Sequence, residues 1–208
     1  MRRTKADSEI TKQAILDAAI EVFDEYGVAK SSLEKIAQRA SVTRGAVYWH
    51  FENKQQIFDA LHECLHAPFI QAILEGLTHA SNDPIGQLQH LCVSLLVDLQ
   101  RDEKKRKLVT LFLIKCDYSG EFAHSRERYN EAKKQKVAAL SQYFERAIEK
   151  GQLSSSADPK MLTLAISAFL RGIVEEYLEA PHTYPIEERA PALMAIFFGN
   201  AYLRTPCT

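Results

Sequence analysis

Apolar residues recur along this chain at intervals of three and four, the spacing of one helical face, and no segment alternates with period two long enough to make a convincing strand. Ile15, Ala19, Val22, Phe23 and Tyr26 line one face of a first predicted helix from about Ser8 to Tyr26, with Gly27 as its C-terminal stop. Leu33, Ile36, Ala37 and Ala40 repeat the pattern behind a capping box read as Ser31-x-x-Glu34. A Ser41-Val42 turn follows, and then a short helix with Thr43 as N-cap. A longer helix opens at the N-cap Asn53 and carries Ile57, Phe58, Leu61, Leu65, Phe69, Ile73 and Leu77, with Pro68 expected to kink or split it. Further helices are predicted over Pro84 to about Arg101, about Asp102 to Lys115, Glu121 to Lys150, Pro159 to about Glu179 and Ile186 to about Leu203. Their boundaries are marked by Asp83-Pro84, Ser119-Gly120, Lys150-Gly151, Asp158-Pro159 and Ala180-Pro181. The pattern is that of an all-α chain, with a three-helix unit over residues 1–53 and a larger helical bundle over 54–208.

The short segment after Thr43 carries the most specific chemistry. Two short helices across a tight turn form a helix-turn-helix. In the second, Val47 and Phe51 lie one turn apart on the side facing Ile36 and Val22, so Arg44, Gly45 and Tyr48 face outward. A glycine within a helix costs roughly 1 kcal/mol relative to alanine, so Gly45 makes sense where something large approaches the backbone. Arg44 offers the donor fork that takes a guanine edge bidentately, and the Thr43 hydroxyl and Ala46 methyl suit base edges. Tyr48, Trp49, His50 and Lys54 follow where the helix leaves the groove, and suit phosphates better.

From Val22-Phe23-Asp24-Glu25-Tyr26-Gly27 through Ser32-Leu33-Glu34-Lys35-Ile36-Ala37 to Tyr48-Trp49-His50-Phe51-Glu52-Asn53-Lys54, the chain resembles the DNA-binding segment of the TetR family of bacterial repressors. The resemblance implies DNA contacts at Ser32, Thr43, Arg44, Gly45, Tyr48, Trp49, His50 and Lys54. With Met1-Arg2-Arg3-Thr4-Lys5, Lys115-Cys116-Asp117-Tyr118, Gly172-Ile173-Val174 and Ala180-Pro181, the whole chain resembles the AcrR and TtgR-like multidrug-efflux branch of that family. That implies a homodimer, released from double-stranded operator DNA when a small apolar or cationic inducer enters the C-terminal body. No cofactor is implied.

Composition narrows the picture without announcing a nucleic-acid partner. The chain has 208 residues and a net charge of -1, and its first 60 residues hold nine Lys and Arg against nine Asp and Glu. Placement must therefore do what bulk charge does not: Arg2, Arg3 and Lys5 form a basic arm, while several acids lie on the first helix, away from the proposed DNA face. Lys104-Lys105-Arg106-Lys107 reads as a solvated helix face. Cys64, Cys92, Cys116 and Cys207 are widely spaced, nothing at the N-terminus resembles a signal peptide, and no apolar run approaches the roughly 20 residues that span a bilayer. A cytoplasmic protein with free thiols is expected.

In the C-terminal half, Leu65, His66, Phe69, Val109, Phe112, Leu113, Cys116, Ile166, Leu170, Arg171, Val174 and Glu175 are the candidate ligand-binding residues, either pocket-lining or core. Arg171 and Glu175, at i and i+4, equally suit an ion pair along one helix. Gly172 and the apolar positions Leu193, Ile196, Phe197 and Tyr202 point to a dimer interface through the last two helices. The joining helix, continuous from Asn53, is expected to pass a change in the second body to the first.

His62-Glu63-Cys64-Leu65-His66 matches H-E-x-x-H, in which two histidines one turn apart bind zinc and the glutamate acts as general base. Against a metallopeptidase stand Pro68 within a turn, no third histidine at the extended spacing and no sheet to hold a substrate strand. No enzyme is expected. A regulator of a metabolic pathway, or a redox-sensing repressor using Cys64 or Cys116, remains open.

Overall fold

The structure is a computed structural model that describes residues 5–79, 81–116, 122–181, 183 and 185–199. Among these residues there are nine α-helices and no strand. They are α1 (Lys5–Tyr26), α2 (Leu33–Arg39), α3 (Arg44–His50), α4 (Lys54–Thr78), α5 (Pro84–Arg101), α6 (Glu103–Thr110), α7 (Ala123–Glu149), α8 (Pro159–Glu179) and α9 (Ile186–Phe198). One π-helical turn, Leu111–Lys115, continues α6. No described helix is long and apolar enough to cross a membrane.

The chain forms two compact units, and the first is discontinuous: residues 1–65 with 107–129, against 66–106 with 130–208. In the first, one apolar cluster joins Ile15, Ala19, Val22 and Phe23 of α1, Leu33 and Ile36 of α2, Val47 and Phe51 around α3, and Ile57, Phe58 and Leu61 of α4. Leu108, Leu111, Phe112 and Phe122, from the later segment, complete it. The Phe58 ring lies 5.0 Å from Phe112 and 4.7 Å from Phe122, within the range of favourable aromatic pairs. Fully burying each such side chain contributes about 1.5–3 kcal/mol, which is why short helices such as α2 and α3 persist here when they would not alone.

In the second unit α5 packs along α9. Leu88, Cys92, Leu96 and Leu99 recur along the buried face of α5; Ile186, Ala190, Met194 and Phe198 do so along α9. Tyr143 of α7 is fully buried and its hydroxyl donates to the Ile73 carbonyl at 2.9 Å, passing over Gly76. Asp83 caps α5 through the Gly86 N–H at 2.8 Å and also accepts from Gln152 Nε2 at 2.7 Å; these bonds, Gln152 first, hold its carboxyl below the ordinary range.

Three local expectations change. The N-cap of α2 is Ser32, whose Oγ accepts from Lys35 N at 3.3 Å, and the expected Ser31-x-x-Glu34 box does not form. Ser31 is buried and its hydroxyl donates to the Gly27 carbonyl at 2.6 Å, closing the preceding turn instead. Pro68 does not split α4, since it is exposed and the carbonyl it deprives of a partner belongs to exposed Cys64. Lys104–Lys107 is not simply solvated: Lys105 pairs with Asp98 at 2.8 Å, Arg106 donates to the Gln100 carbonyl at 2.8 Å and Lys107 pairs with Glu21 at 2.8 Å. The last helix is described to Phe198, so Tyr202 and Leu203 lie outside the described residues, as do the arm residues Arg2 and Arg3, and Asp117, Tyr118 and Cys207.

Candidate nucleic-acid interface

The turn between α2 and α3 sets the geometry of the site. Ser41 adopts the left-handed conformation, φ 55°, a position usually given to glycine. Its N–H donates to the Gln38 carbonyl at 3.1 Å and that of Val42 to the Ala37 carbonyl at 3.0 Å, the two bonds of a Schellman ending. The chain then enters α3 at Thr43, extended at φ -72°, ψ 152°, with Oγ1 accepting from Ala46 N at 3.1 Å. Such a cap is worth about 1 kcal/mol and fixes where the helix begins.

From that start the faces of α3 follow. Val47 has no exposure and Phe51 little, both within the first unit's core. Arg44, Gly45, Tyr48 and Trp49 turn outward, Tyr48 at 43 % and Trp49 at 79 % exposure. A cluster of exposed aromatic side chains beside an arginine is poor design for contact with water and suits a surface that is later covered. At Gly45 an added Cβ would meet nothing closer than Thr43 Oγ1 at 3.9 Å, so packing within the protein does not require glycine.

Arg44 is held by its neighbours. Its Nη2 lies 3.1 Å from the Tyr48 hydroxyl and 3.0 Å from Glu34 Oε1, and the guanidinium carbon sits 5.2 Å from the centroid of the Tyr48 ring. The Tyr48 hydrogen bond, then Glu34, raises the Arg44 pKa above its ordinary value. Lys54 opens α4 behind the Asn53 cap, which accepts from Gln56 N at 2.9 Å. The Lys54 ammonium donates to the Ala29 carbonyl at 3.4 Å and lies 5.6 Å from the Phe122 ring centroid. Ser32 and His50 are half-buried.

The balanced charge of the first 60 residues is resolved by tertiary pairing. Lys107 and Lys115 reach from the later segment to Glu21, at 2.8 Å, and Asp24, while Arg39 pairs with Glu25. The Tyr26 hydroxyl first, then Arg39, lowers the Glu25 pKa. Acids of α1 are thereby met by cations, two of them from outside the segment. Helical spacing does not reveal these pairs, nor the Glu34 contact to Arg44, because none falls at i, i+3 or i, i+4.

The candidate ligand residues fall in both units. In the first, Phe112 is buried, Leu65 and Cys116 pack partly buried against the core, and Val109 and Leu113 are half-buried. In the second, Ile166 and Val174 are buried, and His66, Phe69 and Leu170 half-buried. Arg171 Nε lies 2.9 Å from Glu175 Oε1, the intrahelical ion pair that the spacing allowed. A surface recess of about 570 Å³ on α8 and α9 is lined by Phe169, Gly172, Ile173, Tyr177, Ile186 and Leu193, among others, and by none of the twelve candidates. His62, in the H-E-x-x-H match, is packed edge-on to Phe112 at 5.2 Å and Tyr129 at 5.5 Å, and burial lowers its pKa. Among the described residues no group of three or more His, Cys, Asp and Glu is arranged to hold a metal.

Residues 15–61 match the model for bacterial regulatory proteins of the tetR family, and residues 83–201 the C-terminal region of MAATS-type transcriptional repressors. The chain belongs to the TetR family. Among its relatives, the HTH-type transcriptional regulator AcrR of Shigella flexneri is 28 % identical over 99 % of this chain and 95 % of its own. The crystal structure of NalD, secondary repressor of the MexAB-OprM multidrug efflux pump of Pseudomonas aeruginosa, superposes with a TM-score of 0.80 at 32 % identity, covering 94 % of this chain and 97 % of that one. The triclosan complex of SmeT, repressor of the Stenotrophomonas maltophilia efflux pump SmeDEF, gives 0.83 at 29 % identity and 96 % of each chain.

Proposed function

We propose that this TetR-family chain is a homodimeric, ligand-responsive transcriptional repressor of a multidrug efflux pump. The observation that carries the reading is the outward side of α3, where Arg44, Gly45, Tyr48 and Trp49 stand exposed on a helix whose opposite side is locked into the core. Ser32, Thr43, Arg44 and Gly45 meet base edges and the groove floor; Tyr48, Trp49, His50 and Lys54 meet the backbone. NalD and SmeT, named as repressors of efflux pumps, support the regulated target, and the SmeT–triclosan complex supports a small apolar inducer.

Pairing runs through α8 and α9. Met161, Leu164 and Ile196 are exposed there, Phe169 stacks on Phe197 at 5.6 Å, and an added Cβ at Gly172 would meet nothing within 4 Å, which leaves room for close approach by a second copy. Two copies present α3 to successive major grooves about 34–36 Å apart, so the operator is a near-palindrome. The inducer favours the form that fits DNA less well, with a coupling on the order of 1–3 kcal/mol. The protein acts in the cytoplasm and catalyses nothing.

A mobility-shift assay on the DNA flanking its own gene, repeated with triclosan, cationic dyes and antibiotics, tests this directly. A shift relieved by several unlike compounds is the expected result. Absence of any shift would remove the repressor reading; relief by a single metabolite alone would remove the efflux reading.

A further inference from the structure

An acid stands among the groups that suit DNA. Glu34, near the start of α2, points its carboxylate at Arg44, with Oε1 3.0 Å from Nη2. The same nitrogen donates to the Tyr48 hydroxyl at 3.1 Å, and the guanidinium lies over the Tyr48 ring at 5.2 Å. A carboxylate on a face that meets phosphates is unfavourable for binding. At the start of α2 the Glu34 carboxylate also meets its own N–H, but the side-chain caps of α2 and α3 are Ser32 and Thr43. It does not hold the fold, since both side chains are more than half exposed and ion pairs of that kind add little to stability.

A guanidinium does two separable things on DNA. Its charge releases counterions from any phosphate, whatever the sequence; its planar N–H groups read an acceptor pair on a base. An adjacent carboxylate cancels much of the first; it and the Tyr48 hydroxyl both lie against Nη2, which leaves the N–H groups of Nε and Nη1 for a base. Glu34 is itself held ionised: its own backbone N–H, then the Ser32 hydroxyl, then Arg44 lower its pKa.

We propose that Glu34 is a positioning residue that sets operator specificity, holding Arg44 over Tyr48 and neutralising it so that Arg44 reads a base instead of anchoring to phosphates. This rests on the repressor reading and goes beyond it, since it assigns a role in discrimination to a side chain that does not itself contact DNA.

The test uses the full chain as wild type, Glu34→Gln, Arg44→Ala and the double variant. Each is titrated onto a duplex from the DNA flanking its own gene and onto a random-sequence duplex of equal length, at about 50 to 200 mM salt, where phosphate contacts are strongly weighted. Glu34→Gln should tighten binding to random DNA by roughly two- to five-fold, the range an exposed ion pair supports, and steepen its salt dependence. The gene-flanking duplex should change less, so the preference between the two falls. In the Arg44→Ala background the same substitution should tighten both duplexes alike, since it removes an acid that has lost its partner, and leave the preference between them unchanged. An unchanged preference or equal tightening on both duplexes with Arg44 present, a fall in preference that persists without Arg44, or loss confined to the gene-flanking duplex would each overturn the assignment, the last by making Glu34 a base reader. A wild-type protein with no preference between the duplexes would instead overturn the repressor reading beneath it.

Discussion

Gly45 offers the sharpest separation between what the protein needs for itself and what it needs for a partner. Within the chain an alanine Cβ there has open space, the nearest atom being Thr43 Oγ1 at 3.9 Å, and Gly45 is not at positive φ. Gly45→Ala should therefore stabilise the free protein by about 0.5–1 kcal/mol, through helix propensity and a less flexible unfolded chain. For a chain of this size that is roughly 1–4 °C in Tm. The same methyl should obstruct a duplex that approaches the α3 backbone closely. A forced displacement of order 1–3 kcal/mol corresponds to roughly 5- to 150-fold weaker operator binding. Calorimetry and a filter-binding titration on one preparation measure both. An alanine variant that melts higher and binds the gene-flanking duplex as tightly as wild type would refute close approach at this residue.

Other outcomes are fixed by the interior. Gly76→Ala would set a Cβ 2.2 Å from the buried Tyr143 hydroxyl; it should destabilise by about 1–3 kcal/mol, and Tyr143→Phe should relieve most of that in the double variant, as read by urea midpoints. For His62, burial lowers the folded-state pKa below its ordinary value, with Asp59 opposing the shift. The unfolded chain then binds the proton first, so stability is full above about pH 6.5 and falls as pH drops through the folded-state value. A His62→Phe variant should lose less stability between about pH 7.5 and 5 than wild type, and an identical loss would remove His62 from the acid response. Burial pushes the Cys92 thiol up to about 12, while Cys64 is exposed. Native protein at about pH 8 should label at Cys64 and not at Cys92 with a maleimide, checked by peptide mapping.

Helix existence and most helix ends were legible because proline, aspartate and glycine act locally. Asp83-Pro84 and Asp158-Pro159 open α5 and α8 where the residues predict, since an aspartate cap and a proline at the first helical position need no partner from afar. Gly27 ends α1 at φ 73° for the same reason. The outward side of α3 was legible because a seven-residue helix with Val47 on its inner side leaves few alternatives. What escaped was set by tertiary partners. Ser31 and Ser32 are equivalent as sequence, and the Gly27 carbonyl decides between them by capturing the first. Lys107 and Lys115 look like solvated cations until α1 brings Glu21 and Asp24 to them. The π-helical turn at Leu111–Lys115 has no signature in helical periodicity; it keeps Leu111 and Phe112 in the core while delivering Lys115 to Asp24. Periodicity likewise marks Ile166 and Val174 as inward, yet an inward face is the same pattern whether it meets a neighbour or a ligand.

The DNA-reading end of this molecule is assembled from two stretches of chain, because Leu108, Leu111, Phe112 and Phe122 complete the core around Phe58. A chimera cut after the first helices would carry α3 intact yet strip its support, exposing aromatic rings and leaving Glu21 and Asp24 without Lys107 and Lys115. Transplanting operator preference between relatives therefore calls for grafting outward side chains onto a resident scaffold, or for moving residues 107–129 along with the headpiece.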